Sequence, residues 1–308
     1  MQPLNRNSPG STSTFDPIGS DFCSSEIKIP ASVRKLIAEA EQIEREDAKS
    51  AGTIGFMAKA MVQATLPHKN PEKSEFVRRN GNYLLAMMAP SMIGLPYGSC
   101  PRLLITWLIS EAVKTKCPTI ELGNSLSEFM RSLGYIPSGG QNGTITNLRK
   151  QTRRLFSTSI SCITSEKGND VGKNFPIVDE YNLWWTPQKP EEAGLWKSTV
   201  TLSAGFYNEA IGSPVPVDMR AMRALSRSPM ALDIYTWLTY RLSYLRQPTV
   251  IPWHLLRGQF GTELGRLDHF KEKFCEALRK VLTVYTAAKV EQQQPGLLLK
   301  PSRTHIPK

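Results

Sequence analysis

Two stretches of the sequence, more than a hundred residues apart, repeat one order of elements: helix, short helix, long helix, hairpin. A repeat of that length marks a duplicated domain and not a short solenoid unit. In the first stretch, residues 101–116 read as a helix, with Pro101 in a first turn that tolerates its missing amide. A second helix follows over 126–133 and stops at Gly134, and a third runs over 144–158 after the glycine-rich turn 137–143. Residues 160–164 and 175–178 read as strands flanking a polar tip, 165–174, that holds Lys167, Gly168 and Lys173. The second stretch repeats the order with helices over 230–245, 253–261 and 266–284 and a hairpin through 288–299. Thr236-Trp237-Leu238 stands there where Thr106-Trp107-Leu108 stands in the first.

Three helices and a hairpin form the chain order of a winged helix. The expected fold is therefore α+β and helix-rich, with two tandem winged-helix domains over 91–210 and 211–308. Residues 1–29, with Ser8-Pro9-Gly10-Ser11-Thr12-Ser13-Thr14, read as a disordered arm. Residues 30–90 read as a helical and hairpin extension. Val33, Leu36, Ile37, Ala40 and Ile43 recur there at helical spacing, with Glu39, Glu41, Glu44, Glu46 and Asp47 between them, which suits packing or a protein contact. An apolar stretch spans 54–66, and 76–85 reads as strand, Asn-Gly turn, strand.

Lys and Arg number 38 against 27 Asp and Glu, giving a formal charge of +11 and a pI near 9.5. That balance favours a polyanionic partner, and nucleic acid or an anionic membrane surface both fit it. No apolar run approaches a bilayer span, and residues 1–6 lack the apolar core of a secretory signal, so a cytoplasmic protein with no membrane partner is expected. Cys23, Cys100, Cys117, Cys162 and Cys275 are scattered, as are His68, His254, His269 and His305. Reduced thiols follow from the first set, and the second offers no zinc spacing; no metal or cofactor is expected.

The third helix of the first stretch carries the functional reading. Ile145, Leu148, Thr152, Leu155 and Phe156 fall on one stripe, which predicts a core face. Thr146, Asn147, Lys150, Arg153 and Arg154 fill the opposite arc, with Arg149 and Gln151 at its borders and no acidic residue among them. Arg and Lys reach phosphates or guanine edges, Asn and Gln pair with adenine, and the glycine-rich turn lets the end at Thr144 approach a DNA backbone. The same residues also fit a solvated basic face. In the second stretch the corresponding face mixes Lys271, Arg279 and Lys280 with Asp268, Glu272 and Glu276, which weakens the same reading. Two expected wing tips, Lys167 with Lys173 and Lys300 with Arg303, are placed to touch phosphate or minor groove; lysines at such tips also serve solubility alone.

Several spaced motifs carry a family resemblance. They are Leu95-Pro96-Tyr97-Gly98-Ser99, Glu121-Leu122-Gly123-Asn124-Ser125-Leu126-Ser127-Glu128-Phe129-Met130, Ser138-Gly139-Gly140 with Gly143-Thr144-Ile145-Thr146, Leu183-Trp184-Trp185, Pro214-Val215-Pro216-Val217-Asp218, and Ser228-Pro229-Met230-Ala231-Leu232-Asp233-Ile234-Tyr235. Together they resemble the plasmid-encoded RepA replication initiators, from about residue 54 to residue 306. The resemblance implies a bacterial protein that binds repeated sequences in double-stranded origin DNA, opens an AT-rich segment, recruits the host replicative helicase and represses its own gene. It also implies a homodimer in repression and association with the plasmid in the nucleoid.

No catalytic constellation emerges. A nicking enzyme needs two histidines flanking one residue, which is absent here. Gly168-Asn169-Asp170-Val171-Gly172-Lys173-Asn174 has short glycine spacing and Asn174 where a phosphate loop needs Ser or Thr, and Gly139-Gly140-Gln141-Asn142-Gly143-Thr144 lacks the lysine. Asp233 and His254 sit in predicted helices among apolar residues, where a hydrogen-bonded structural role is expected. Trp184, Trp185, Trp196 and Trp237 suit core packing better than base stacking. A repressor without initiation activity, or a scaffold whose basicity is incidental, stays open at this point.

Overall fold

The computed structural model describes residues 29–123, 125–183, 198–261 and 264–307. The expected arm therefore lies outside the described residues except for Ile29, as do Trp184, Trp185 and Trp196. The fold is mixed α+β. Two helices form its centre, α3 (Ser99–Thr115) and α8 (Pro229–Tyr244), each apolar around most of its circumference and buried along most of its length. Ser228 caps α8, its hydroxyl accepting the Ala231 amide, and Pro229 opens the helix at a position that needs no amide.

In the first block α3 is followed by β4 (Thr119–Glu121), α4 (Leu126–Ser132), α5 (Thr144–Phe156), β5 (Ser159–Glu166), β6 (Asn169–Pro176), β7 (Val178–Asn182) and β8 (Thr199–Leu202). In the second, α8 is followed by β10 (Thr249–Pro252), α9 (Trp253–Phe260), α10 (Leu267–Val284), β11 (Val290–Gln292) and β12 (Gly296–Leu299). Between the blocks lie α6 (Ala204–Gly212), β9 (Pro214–Asp218) and α7 (Met219–Ala224). Both blocks build one small sheet on the same plan. The strand ahead of the second helix pairs with the block's last strand, which pairs in turn with its predecessor, giving β4-β8-β7 and β10-β12-β11.

The hairpin expected over 160–178 differs from this plan in two ways. Its strands run through the supposed polar tip to a two-residue turn at Lys167-Gly168, both at positive φ, 49° and 83°. Strand β6 is exposed over most of its length, so it lacks the apolar alternation that marks a half-buried strand. The hairpin also does not pair with β4; it extends the pair β2 (Glu75–Asn80) and β3 (Tyr83–Met88) into a sheet ordered β2-β3-β5-β6. Tyr83 faces Thr164 and Met88 faces Ser159 across that junction.

Residues 30–90 thus hydrogen-bond directly into the segments on either side of the expected boundaries at 90 and 210. Strand β1 (Ile54–Ala58) pairs antiparallel with β9, Ile54 opposite Asp218. Helix α2 (Lys59–Gln63) packs on α8, and α1 (Ala31–Arg45) packs on α7 and α10 through Leu36, Ala40 and Ile43. Val33 and Ile37 stay exposed on α1, as does Ile29 just ahead of it. Among the described residues no helix is long and apolar enough to cross a membrane.

Candidate nucleic-acid interface

Helix α5 presents its end through a folded-back turn. The Ser138 amide donates to Thr144 Oγ1 at 2.9 Å, the Thr144 amide donates to Ser138 Oγ at 3.0 Å, and Thr144 Oγ1 donates to the Ile136 carbonyl at 2.8 Å. Thr146 Oγ1 donates to the Gly140 carbonyl at 2.7 Å. Gly143, the residue before the helix, lies so close under this turn that a Cβ there would sit 2.3 Å from the Gly139 carbonyl oxygen. Thr144 and Thr146 therefore shape the turn, a role that their helical positions did not reveal.

The core stripe packs as its periodicity predicts, with Leu148, Thr152, Leu155 and Phe156 buried and Ile145 half-buried against them. Thr146, Asn147, Arg149, Lys150 and Arg153 are exposed. Two residues expected beside them belong elsewhere. Gln151 is 1 % exposed, and its Oε1 accepts the Tyr97 amide at 3.0 Å. Arg154 is half-buried against Gly94, lies 5.1 Å over the Tyr97 ring and donates to the Leu95 carbonyl at 2.9 Å and to Asn70 Oδ1 at 3.1 Å. Segment 94–97 covers this flank of the helix, so both side chains face protein.

The second block's cations are differently engaged. Lys280 Nζ lies 3.0 Å from Glu276 Oε1 and Lys273 Nζ 3.4 Å from Oε2 of the same carboxylate. Its hydrogen bond and charge pairing with Lys280, seconded by Lys273, hold Glu276 below the usual carboxylate range. Lys271 sits 5.7 Å over the Trp253 ring, Lys300 pairs with Glu291, and Arg279 and Arg303 are exposed. Lys167 is exposed at its turn, whereas Lys173 pairs with Glu209 at 3.3 Å.

A buried ionic cluster joins the two central helices. Arg102 of α3 donates from Nε and a terminal nitrogen to the two oxygens of Asp233 on α8, each at 2.7 Å, and to the carbonyls of Leu66, Pro67 and Gly98. His68 Nε2 meets Asp233 Oδ2 at 2.7 Å. Burial pushes the Asp233 carboxyl up, but Arg102 and His68 outweigh it and leave the group below its usual value. Burial likewise pulls the His68 ring down, against the pull of Asp233. Asp233 thus has the structural role expected of it, with Arg102 as the partner that sequence reading missed; the one charged residue in the first three turns of α3 was the available signal. His254 is exposed, not packed among apolar residues. Trp237 is buried and meets Phe260 edge-on at 5.4 Å. Among the described residues no three His, Cys, Asp or Glu side chains are grouped to hold a metal ion.

No curated protein matches the sequence. The fold is similar to a crystal structure of selenomethionine derivatives of domains 2 and 3 of RctB, with a TM-score of 0.51 at 9 % identity over 80 % of this chain and 100 % of that one. A second crystal structure of RctB domains 2–3 gives 0.48 at 11 % identity over 78 % of this chain and 96 % of its own. The family described as plasmid encoded RepA protein matches residues 95–254, from the segment that covers α5 to the start of α9. That match takes in more than half of the 308 residues, and the chain belongs to the plasmid-encoded RepA family.

Proposed function

We propose that the chain initiates plasmid replication by binding repeated sequences in double-stranded origin DNA through two winged-helix units, with no chemical step and no cofactor of its own. The units are residues 91–210 and 211–308, tied together by strands and helices from 30–90. The shared strand order of β4-β8-β7 and β10-β12-β11 supports that reading. The acid-free face of Asn147, Arg149, Lys150 and Arg153, inside the family match, is the observation that carries it. In this reading the first unit reads the major groove through α5. The second, with its cations shared among carboxylates, contributes mainly backbone contacts. Origin opening, recruitment of the host helicase, and autorepression as a homodimer in the bacterial cytoplasm complete the proposal.

A footprint of the purified chain over the DNA next to its own gene tests it. Protection of repeated sites is expected, with affinity falling by orders of magnitude between about 50 and 200 mM salt if six or more phosphates are contacted. Replacing Lys150 and Arg153 together by Ala is expected to remove most specific binding. Full affinity in that variant rules out α5 as the reading helix, and a footprint abolished by chelator reopens the question of a metal.

A further inference from the structure

The two candidate reading helices are joined across the surface by a very short bridge. At one end Asn70 accepts a hydrogen bond from Arg154 of α5. At the other, His68 leans on Asp233 and walls a cavity of about 310 Å³ between the start of α8 and the flank of α10. Only Lys69 stands between these residues, and its side chain is exposed. Two residue steps span about 7 Å at most, so Lys69 stands between the residue bonded to α5 and the wall of the cavity on the flank of α10.

Lys69, Lys273 and Lys280 surround this cavity, with Pro229, Met230 and Ala277 among its lining residues. The carboxylate within it is Glu276, paired with both Lys273 and Lys280. His269 also lines it, with its Nδ1 at 3.7 Å from Glu272. Three lysines against one lining carboxylate leave the cavity positive, and its cations come from segments about two hundred residues apart in the chain. A duplex carries a phosphate every 3.4 Å along each strand, a spacing fine enough to present one to this cavity when DNA lies across both helices.

We propose that the cavity walled by Lys69, Lys273 and Lys280 receives a backbone phosphate of duplex DNA between the two reading helices, and that Glu276 holds two of its lysines until the phosphate arrives. The inference rests on the reading of α5 and α10 as DNA-facing. Its consequence is a sequence-independent contact that fixes where the second block sits relative to what α5 reads.

The full chain, the Lys69→Ala/Lys273→Ala double variant and Glu276→Gln are titrated with the duplex that the unaltered chain protects, over a range of KCl concentrations. All three substituted side chains are solvent-accessible, and circular dichroism checks that the fold is kept. The double variant is expected to lower the steepness of log affinity against log salt by about one, with the protected bases unchanged. Glu276→Gln is expected to bind more tightly. An unchanged slope in the double variant, or weaker binding by Glu276→Gln, overturns the proposal while the footprint of the unaltered chain stands. Saturable binding of ATP alone that the double variant loses assigns the cavity to a free nucleotide and overturns it too. An unaltered chain that protects no duplex overturns the functional reading and this inference together.

Discussion

Arg153 and Arg154 are neighbours with opposite duties. A turn of about 100° per residue carries Arg153 into solvent and Arg154 into the flank where Leu95 and Tyr97 wait. Removing Arg154 leaves the buried Leu95 carbonyl without its charged donor and strips the Tyr97 ring of its cation, a loss of about 1.5–3 kcal/mol. Arg154→Ala is therefore expected to lower the urea midpoint clearly, and Arg153→Ala to weaken DNA binding with the midpoint unmoved. Equal midpoints for the two variants would contradict this division. A helical wheel separates the core stripe from the outer arc, because Leu148 and Phe156 differ from Lys150 in hydrophobicity. It does not separate Gln151 and Arg154 from that arc, because what claims a border residue is a segment more than fifty positions away.

Helix α5 depends on the turn in front of it as much as on its own residues. Gly143 admits the Ser138 and Gly139 carbonyls at distances that leave no room for a methyl group. Gly143→Ala is expected to push the turn off the helix, lose the Ser138–Thr144 exchange and weaken DNA binding at least tenfold, while the core packing of Leu148 and Leu155 holds the helix in place. A variant with unchanged affinity would show that the turn's shape is irrelevant to binding. The helices themselves were legible: α5 and α10 follow an amphipathic period that the sequence displays, and α3 and α8 are long apolar runs with a proline in the first turn. So was the β2–β3 hairpin, marked by Asn80-Gly81. The pairing of β3 with β5 and of β1 with β9 was not, because strand partners distant in sequence leave no local periodicity. The full length of β6 escaped for a simpler reason: both of its faces meet water.

Segments distant in the chain are held to one another through groups that must stay neutral or paired. Tyr235 Oη accepts the Asp218 amide at 2.9 Å, so its single proton is directed to His305 Nδ1 at 2.7 Å, which requires an unprotonated ring nitrogen. Burial pulls His305 below the ordinary histidine value of 6.5, as it does His68. Above 6.5 both rings are neutral in the folded and unfolded chain alike. Below it the unfolded chain takes up protons that the folded chain resists, so stability falls as the pH drops from 6.5 toward the lowered folded values. Urea titrations at pH 7.5 and 5.5 are expected to show a lower midpoint in acid, and a level or rising midpoint would contradict the assignment. The β1–β9 pairing adds a matter of timing. At about 5–20 residues per second on the ribosome, Ile54 emerges some 8 to 33 seconds before Asp218, its partner across the ladder. In the last third of that interval α5 is already made while β1 still has no strand to join, so the first block cannot be completed in its native setting until translation has passed beyond it into β9.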